Sequence, residues 1–394
     1  MSTGFILFGG LIFDGARFHD DRVLVVSDGS IVEVSAADGA LPDLPRQDAG
    51  GALVVPGFID LQVNGGGGVL LNNDPSVEGI ATILAAHARF GTTALLPTLI
   101  TDRPDVRDKA LAAGRLAQER HLPGFLGLHL EGPHLSLARK GTHDPALIRP
   151  MTSEDLAVLC AACGTFGQAL ITIAPENVTP DQVRALRSAG YVVSLGHTDV
   201  GATTVATYVE AGASMVTHLF NAMSPLGNRE PGVVGAALAS GALSCGLIAD
   251  GFHVDPISMG IALRAKQGPG RIFLVTDAMS TIGTDEPGFE LNGRQVYRRD
   301  GRLTLADGTL AGADIDMLSC VRFAHGRLGL SLAESLNMAS LYPAEAMGLQ
   351  DRGRLAAGCA ADFLLLDPSL ALRSTWIGGA PVYDAADGEE GART

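Results

Sequence analysis

Eight apolar runs of strand length recur between residues 54 and 276, and each gap between them holds a helical pattern. The runs span 54–62, 92–98, 124–130, 169–174, 191–196, 213–219, 243–249 and 271–276. Segments such as "VEGIATILAAHARFG", "PDVRDKALAAGRLAQERH" and "TPDQVRALRSAG" separate them, with apolar residues at helical spacing and glycine near several of their ends. A continuous apolar strand is one buried on both faces, and strands alternating with helices build a parallel sheet that helices cover. Eight such units within about 220 residues predict a closed (β/α)8 barrel in preference to a doubly wound open sheet.

The flanks read differently. Residues 1–53 and 354–384 are short strand patterns cut by Gly and Asp turns, with Asp28-Gly29 between two alternating runs as a hairpin signal. Neither end is large enough to bury much core separately, so the two are expected to pair into one small β-sandwich domain, leaving 54–353 as the barrel. Within 284–313, one Asn-Gly and two Asp-Gly pairs between alternating runs predict a β-hairpin insertion near the barrel mouth.

The net charge of −15 argues against sequence-independent binding to nucleic acid or to an anionic membrane. It leaves room for a small anionic ligand held by a local Arg. No run reaches the roughly 18 apolar residues of a membrane span, and "MSTGFILFGG" has no basic segment before its short apolar run, so the expected setting is cytoplasmic. Five scattered cysteines fit reduced thiols; Cys160-x-x-Cys163 falls late in an Ala-rich helical pattern with no second pair.

Catalytic residues of such barrels stand at the C-terminal ends of the strands. Seven of the eight runs here end in or lead into polar residues: Gln62 and Asn64, His129 and Glu131, Glu176, His197, His218, Asp250 and His253, and Asp277. Glu131, His197 and His218 together offer two imidazoles and a carboxylate, a ligand set for a zinc-like ion with one position open. Asp277, on the run that closes the ring, is placed to take a proton from water that such an ion activates. His253 can donate a hydrogen bond to a carbonyl oxygen as charge develops there. His129 shares a face with Glu131 and is expected to support it. His134 and His143 have no role fixed by spacing. The chain holds only Lys109, Lys140 and Lys266, none at the end of the fourth run, so a lysine-bridged metal pair is excluded. Neutral amides at 62 and 64 are poor ligands for zinc-like ions and argue for one metal rather than two. The four glycines 65–68 lack the Gly-Lys-Ser/Thr of a phosphate loop and read as a tight turn.

The segments "PGFIDLQVNG", "HLEGPHLSLARKGTH", "SLGHTD", "THLFNAMSPLGNREPG", "ADGFHVD" and "LVTDAM" resemble the N-acetylglucosamine-6-phosphate deacetylases of the amidohydrolase superfamily. The resemblance implies one divalent ion per chain, zinc by preference with iron, cobalt or manganese as alternatives, on Glu131, His197 and His218. It implies Asp277 as acid/base and His253 as the group that polarises the acetyl carbonyl. Gln62 and Asn64 match the polar pair of single-metal members and are expected to orient water or substrate. Thr142, His143, Asn221, Ala222 and Arg229 match substrate contacts, with Arg229 reaching the neighbouring site of a homodimer; Leu310, Ala311 and Gly312 match a stretch near the amide. His134 departs from the aromatic residue usual after "EGP", and "LAGADIDM" lacks the serine often found after "LAG". The implied reaction is release of acetate from N-acetylglucosamine 6-phosphate. The alternatives are another amidohydrolase acting on an N-acyl-amino acid or cyclic amide, and a non-catalytic barrel serving in assembly.

Overall fold

The structure, a computed structural model, describes residues 4–386. Its centre is an eight-stranded parallel sheet whose strands follow one another in chain order. They are β1 (Phe58–Val63), β2 (Thr92–Ile100), β3 (Gly127–Glu131), β4 (Gln168–Ile173), β5 (Val192–Leu195), β6 (Ala213–Val216), β7 (Ser244–Leu247) and β8 (Ile272–Leu274). Every residue of β1, β2 and β3 is buried, as strands with helices outside and side chains inside must be. The ring closes where β8 runs past β1. There Asp277 N–H donates to the Gln62 carbonyl at 2.9 Å, and Val63 bridges Ala278 in parallel. Buried Asp60 fastens the same seam, accepting from the Thr276 hydroxyl at 2.5 Å and from the Thr276 N–H at 3.3 Å.

The first seven strands are each followed by a helix: α1 (Val77–Ala88), α2 (Pro104–Glu119), α3 (Ser153–Ala162), α4 (Pro180–Ala189), α5 (Ala202–Ala211), α6 (Gly232–Ala239) and α7 (Pro256–Ala265). Local sequence marks their ends. Thr152 with Asp155 and Thr179 with Gln182 form capping boxes, satisfying otherwise unpaired N–H groups at the starts of α3 and α4. Gly190 and Gly212 stop α4 and α5 at φ of 115° and 114°, which a side chain would resist.

Between β8 and α8 (Met317–Gly326) the chain inserts four antiparallel strands, Gly288–Leu291, Arg294–Arg299, Arg302–Thr304 and Leu310–Ala313. The chain ends build two further sheets. One joins Gly4–Phe8 to Arg22–Ser27, Ser30–Ala36 and Arg46–Asp48; the other pairs Leu53–Pro56 with Phe363–Leu366. Phe5, Leu24, Ile31, Val54 and Phe363 meet in one cluster between them, so neither end buries its apolar face alone. Among the described residues, no helix is long and apolar enough to cross a membrane.

Candidate active site

The barrel geometry sends successive strand ends toward one axis, and the polar residues that end them converge there. Glu131 is the last residue of β3, and His197 and His218 lie just past β5 and β6. His197 Nε2 lies 3.3 Å and His218 Nε2 3.2 Å from Glu131 Oε1, and the two imidazole nitrogens are 3.1 Å apart. Donors about 2.0–2.1 Å from a tetrahedral ion are separated by about 3.3–3.4 Å, so these three atoms fit one face of a zinc-like site. His197 is oriented by its Nδ1, 2.9 Å from the Arg139 carbonyl. Burial favours a proton on Glu131, but the hydrogen bonds from His197 and His218 outweigh it and hold the carboxyl well below its ordinary range. The group is therefore an anionic ligand in waiting.

His143 joins this cluster, which its spacing in the sequence did not foretell. It is buried, its Nε2 stands 3.9 Å from Glu131 Oε2, and its ring packs edge-on against His197. Glu131, His143 and His197 thus form a second converging triple, all donor atoms within 4.8 Å of one another. The set with His218 is the tighter one. Thr101 Oγ1 holds His143 Nδ1 at 2.8 Å, and burial pushes this imidazole down to about 3, so it stands neutral.

Asp277 follows β8 and is half-buried at the floor of a cavity it shares with this cluster. Burial first, and the nearby Glu131 charge second, raise its proton affinity. Its Oδ1 accepts from Asn64 Nδ2 at 2.7 Å and from Gln62 Nε2 at 3.1 Å; Gln62 also donates to Glu131 Oε1 at 3.2 Å. The two amides therefore orient the carboxylates themselves, where the sequence suggested water or substrate. His197, His218 and Asp277 all adopt left-handed backbone, with φ of 48°, 28° and 52°. Three non-glycine residues in this costly region, all at the same site, mark a constellation that the surrounding barrel imposes.

The cluster floors a cavity of about 250 Å³ lined also by Thr142, Asn221, Ala222, His253, Leu310 and Gly312. His253 Nδ1 is 2.6 Å from Asp250 Oδ2, and Asp250 Oδ1 accepts from the His253 N–H at 2.9 Å. That carboxylate fixes the imidazole and leaves Nε2 for the cavity. Arg294, from the inserted sheet, donates to the Thr142 carbonyl and ties the insertion to the loop after β3.

Several expectations shift. Arg229 is exposed and does not line this cavity, and Glu230 does not pair with it but accepts from the Ala202 and Gly232 N–H groups. Ala311 is buried behind the lining, and Gln62 acts beneath it. His129 does not hydrogen-bond Glu131. Its nitrogens meet Thr98 Oγ1 at 3.2 Å and Thr172 Oγ1 at 2.8 Å, cross-bracing β2 and β4 under the site. Glu176 accepts from Thr198 Oγ1 and Asp199 N–H as a loop brace. The apolar lining residues Ile100 and Met279, with Gly141 and Thr309, were not legible as site residues, because apolar residues at strand ends look like core.

Residues 53–385 match the family described as the amidohydrolase family. The chain belongs to that family. It is therefore a metal-dependent hydrolase, and the Glu–His–His cluster is its candidate metal site. This amidohydrolase is 42% identical over 95% of its length, and 96% of the relative's, to a Shewanella sp. (strain ANA-3) protein named N-acetylgalactosamine-6-phosphate deacetylase. It is 37% identical over 86% of both chains to a human N-acetylglucosamine-6-phosphate deacetylase. A solved N-acetylglucosamine-6-phosphate deacetylase from Pasteurella multocida superimposes with a TM-score of 0.92 at 33% identity, covering 96% of this chain and 99% of that one.

Proposed function

We propose that this amidohydrolase hydrolyses the acetamide of N-acetylglucosamine 6-phosphate, giving acetate and glucosamine 6-phosphate in cytoplasmic amino-sugar catabolism. The observation that carries the reading is the meeting of three metal-type donors, 3.1–3.3 Å apart, with an amide-held Asp277 in one cavity. One divalent ion per chain, zinc by preference, is assigned to Glu131, His197 and His218, where it supplies Lewis acidity and lowers the pKa of water. Asp277 accepts the proton of the attacking water through the carboxylate that Gln62 and Asn64 orient. His253 donates to the acetyl oxygen as charge builds on it, with Asp250 stabilising the imidazole. The C–O bond forms first; the C–N bond then breaks as the carbonyl is restored and Asp277 returns its proton to the nitrogen, since an unprotonated amine anion is too basic to leave.

Thr142, His143, Asn221 and Ala222 are assigned to the sugar and its phosphate. Arg229 is assigned to the phosphate of a neighbouring subunit's substrate, a role its exposure on this chain suits. The test is acetate release from N-acetylglucosamine 6-phosphate alongside metal analysis. Arg229→Ala is expected to lose far more kcat/KM on the phosphorylated sugar than on the unphosphorylated one; equal losses would remove its assignment. The 42% identity to a protein named for the galacto epimer favours a second reading, N-acetylgalactosamine 6-phosphate. Comparing kcat/KM on the two epimers decides between them.

A further inference from the structure

The reaction cavity has two unlike sides. Its lining from the loops after β3, β6 and β7 is polar, with Thr142, His143, Asn221 and His253. Over β2, β8 and the inserted sheet it is apolar, with Ile100, Met279, Leu310 and the backbone of Gly312. Ile100 is in register with Glu131, and Met279 lies two residues past Asp277, so this wall flanks both carboxylates. The two apolar side chains are 5% and 1% exposed and pack into a cluster with Leu70, Leu291, Val296 and Leu303. Gly312 admits Met279 to this position: its φ is +69°, and a Cβ there would stand 2.4 Å from Met279 Cγ.

Ile100 is also a partition. On its far side lies a small cavity of about 20 Å³ lined by Leu99, Leu130, Leu159 and His134, with Asp102 and Arg107 also on its wall. His134 thus stands behind the reaction cavity and not in it.

We infer that Ile100 and Met279 form an acyl wall that limits the acid released to acetate. The inference rests on the amide-hydrolysis reading above. A scissile carbon between the donor triad and Asp277 has its sugar and phosphate on the polar side, so the acyl methyl meets the apolar wall. A methyl group gains from that burial. Each further methylene meets packed side chains that yield only at a cost. Shortening Ile100 opens the partition toward the space before His134, and shortening Met279 opens the cluster.

The test measures kcat/KM of the metal-loaded enzyme on N-acetyl-, N-propanoyl- and N-butanoyl-hexosamine 6-phosphates. One methylene in an apolar pocket is worth roughly 10–200-fold in selectivity. Ile100→Ala and Met279→Ala are each expected to raise the butanoyl-to-acetyl ratio by at least about tenfold. Ile100→Val, the variant least able to disturb folding, is expected to raise the propanoyl-to-acetyl ratio by a smaller factor. Leu116→Ala, on the outer face of α2, serves as control. Ratios unchanged in Ile100→Val and Met279→Ala with metal content retained would overturn the inference. So would an equal rise in the control, or a wild type indifferent to acyl length. Acetate release with unchanged ratios overturns the acyl wall alone, whereas no acid release by the wild type from any of these substrates overturns the functional reading with it.

Discussion

Replacing Asn64 by Leu isolates what the amide pair does for Asp277. The 2.7 Å bond from Asn64 Nδ2 is the shorter of two donated to Asp277 Oδ1, and it joins a buried amide to a half-buried carboxylate. Leucine has nearly the same size and branches at the same atom, and the Asn64 Oδ1 it removes is buried without a hydrogen-bond partner. The substitution therefore subtracts one charge-assisted donor with little else lost from the packing. Such a bond contributes about 1.5–3 kcal/mol, and one pH unit corresponds to about 1.4 kcal/mol. The donor stabilises the charged carboxylate, so its loss favours the protonated form and raises the pKa. The acid limb of the kcat/KM–pH profile should move upward by about one to two pH units. Activity at high pH, where Asp277 is ionised in both proteins, should fall less than activity at low pH. Profiles of wild type and variant, with metal content measured on each, provide the assay. An acid limb that stays in place with the metal retained would refute the reasoning, and would mean that Asn64 acts elsewhere or that Asp277 is not the titrating base.

Asp277→Asn should lower kcat by at least about a hundredfold, the low end for general acid–base catalysis, while metal stoichiometry persists; activity near wild type would end its assignment. Glu131→Gln and His218→Ala should each lower the bound metal measured by emission spectroscopy. Chelation of the wild type should lower its unfolding free energy by about 4 kcal/mol relative to protein held with free metal a thousandfold above Kd. His134 tests the acid side of stability. Burial depresses it to about 4 from an ordinary 6.5, so between those values only the unfolded chain takes up the proton. Stability should fall as pH drops through that window and level off below about 4, a contribution of roughly 3 kcal/mol. In His134→Leu that part of the pH slope, followed by urea unfolding, should be missing.

The fold class was legible because two periodicities write themselves into a chain. Runs buried on both faces cannot alternate, and the segments between them carry helical spacing with Thr, Pro and Gly at their ends. The candidate ligands were legible for a related reason: a buried charged or imidazole group is costly, so Glu131, His197 and His218 stand out at the ends of apolar runs, as the half-buried Asp277 does at the end of the eighth. The number of units and the polar residues that end them were thus determined by sequence alone.

Which atoms meet was decided only by closing the barrel. Gln62 and Asp277 are separated by 215 positions and lie 3.1 Å apart because β8 returns beside β1. His143 reaches Glu131 because its loop folds back over the strand end, and no spacing along a loop records such a return. The left-handed backbone at His197, His218 and Asp277 has only a faint local signal, since glycine alone adopts it freely and Asp, Asn and His do so in a small minority of cases. Arg229 depends on more than one chain: the family resemblance assigned it to a neighbouring subunit's substrate, and this chain places it in solvent, away from its own cavity. Period and burial act between near neighbours and survive in one dimension. Convergence on an axis depends on the ring as a whole and exists only once it has closed.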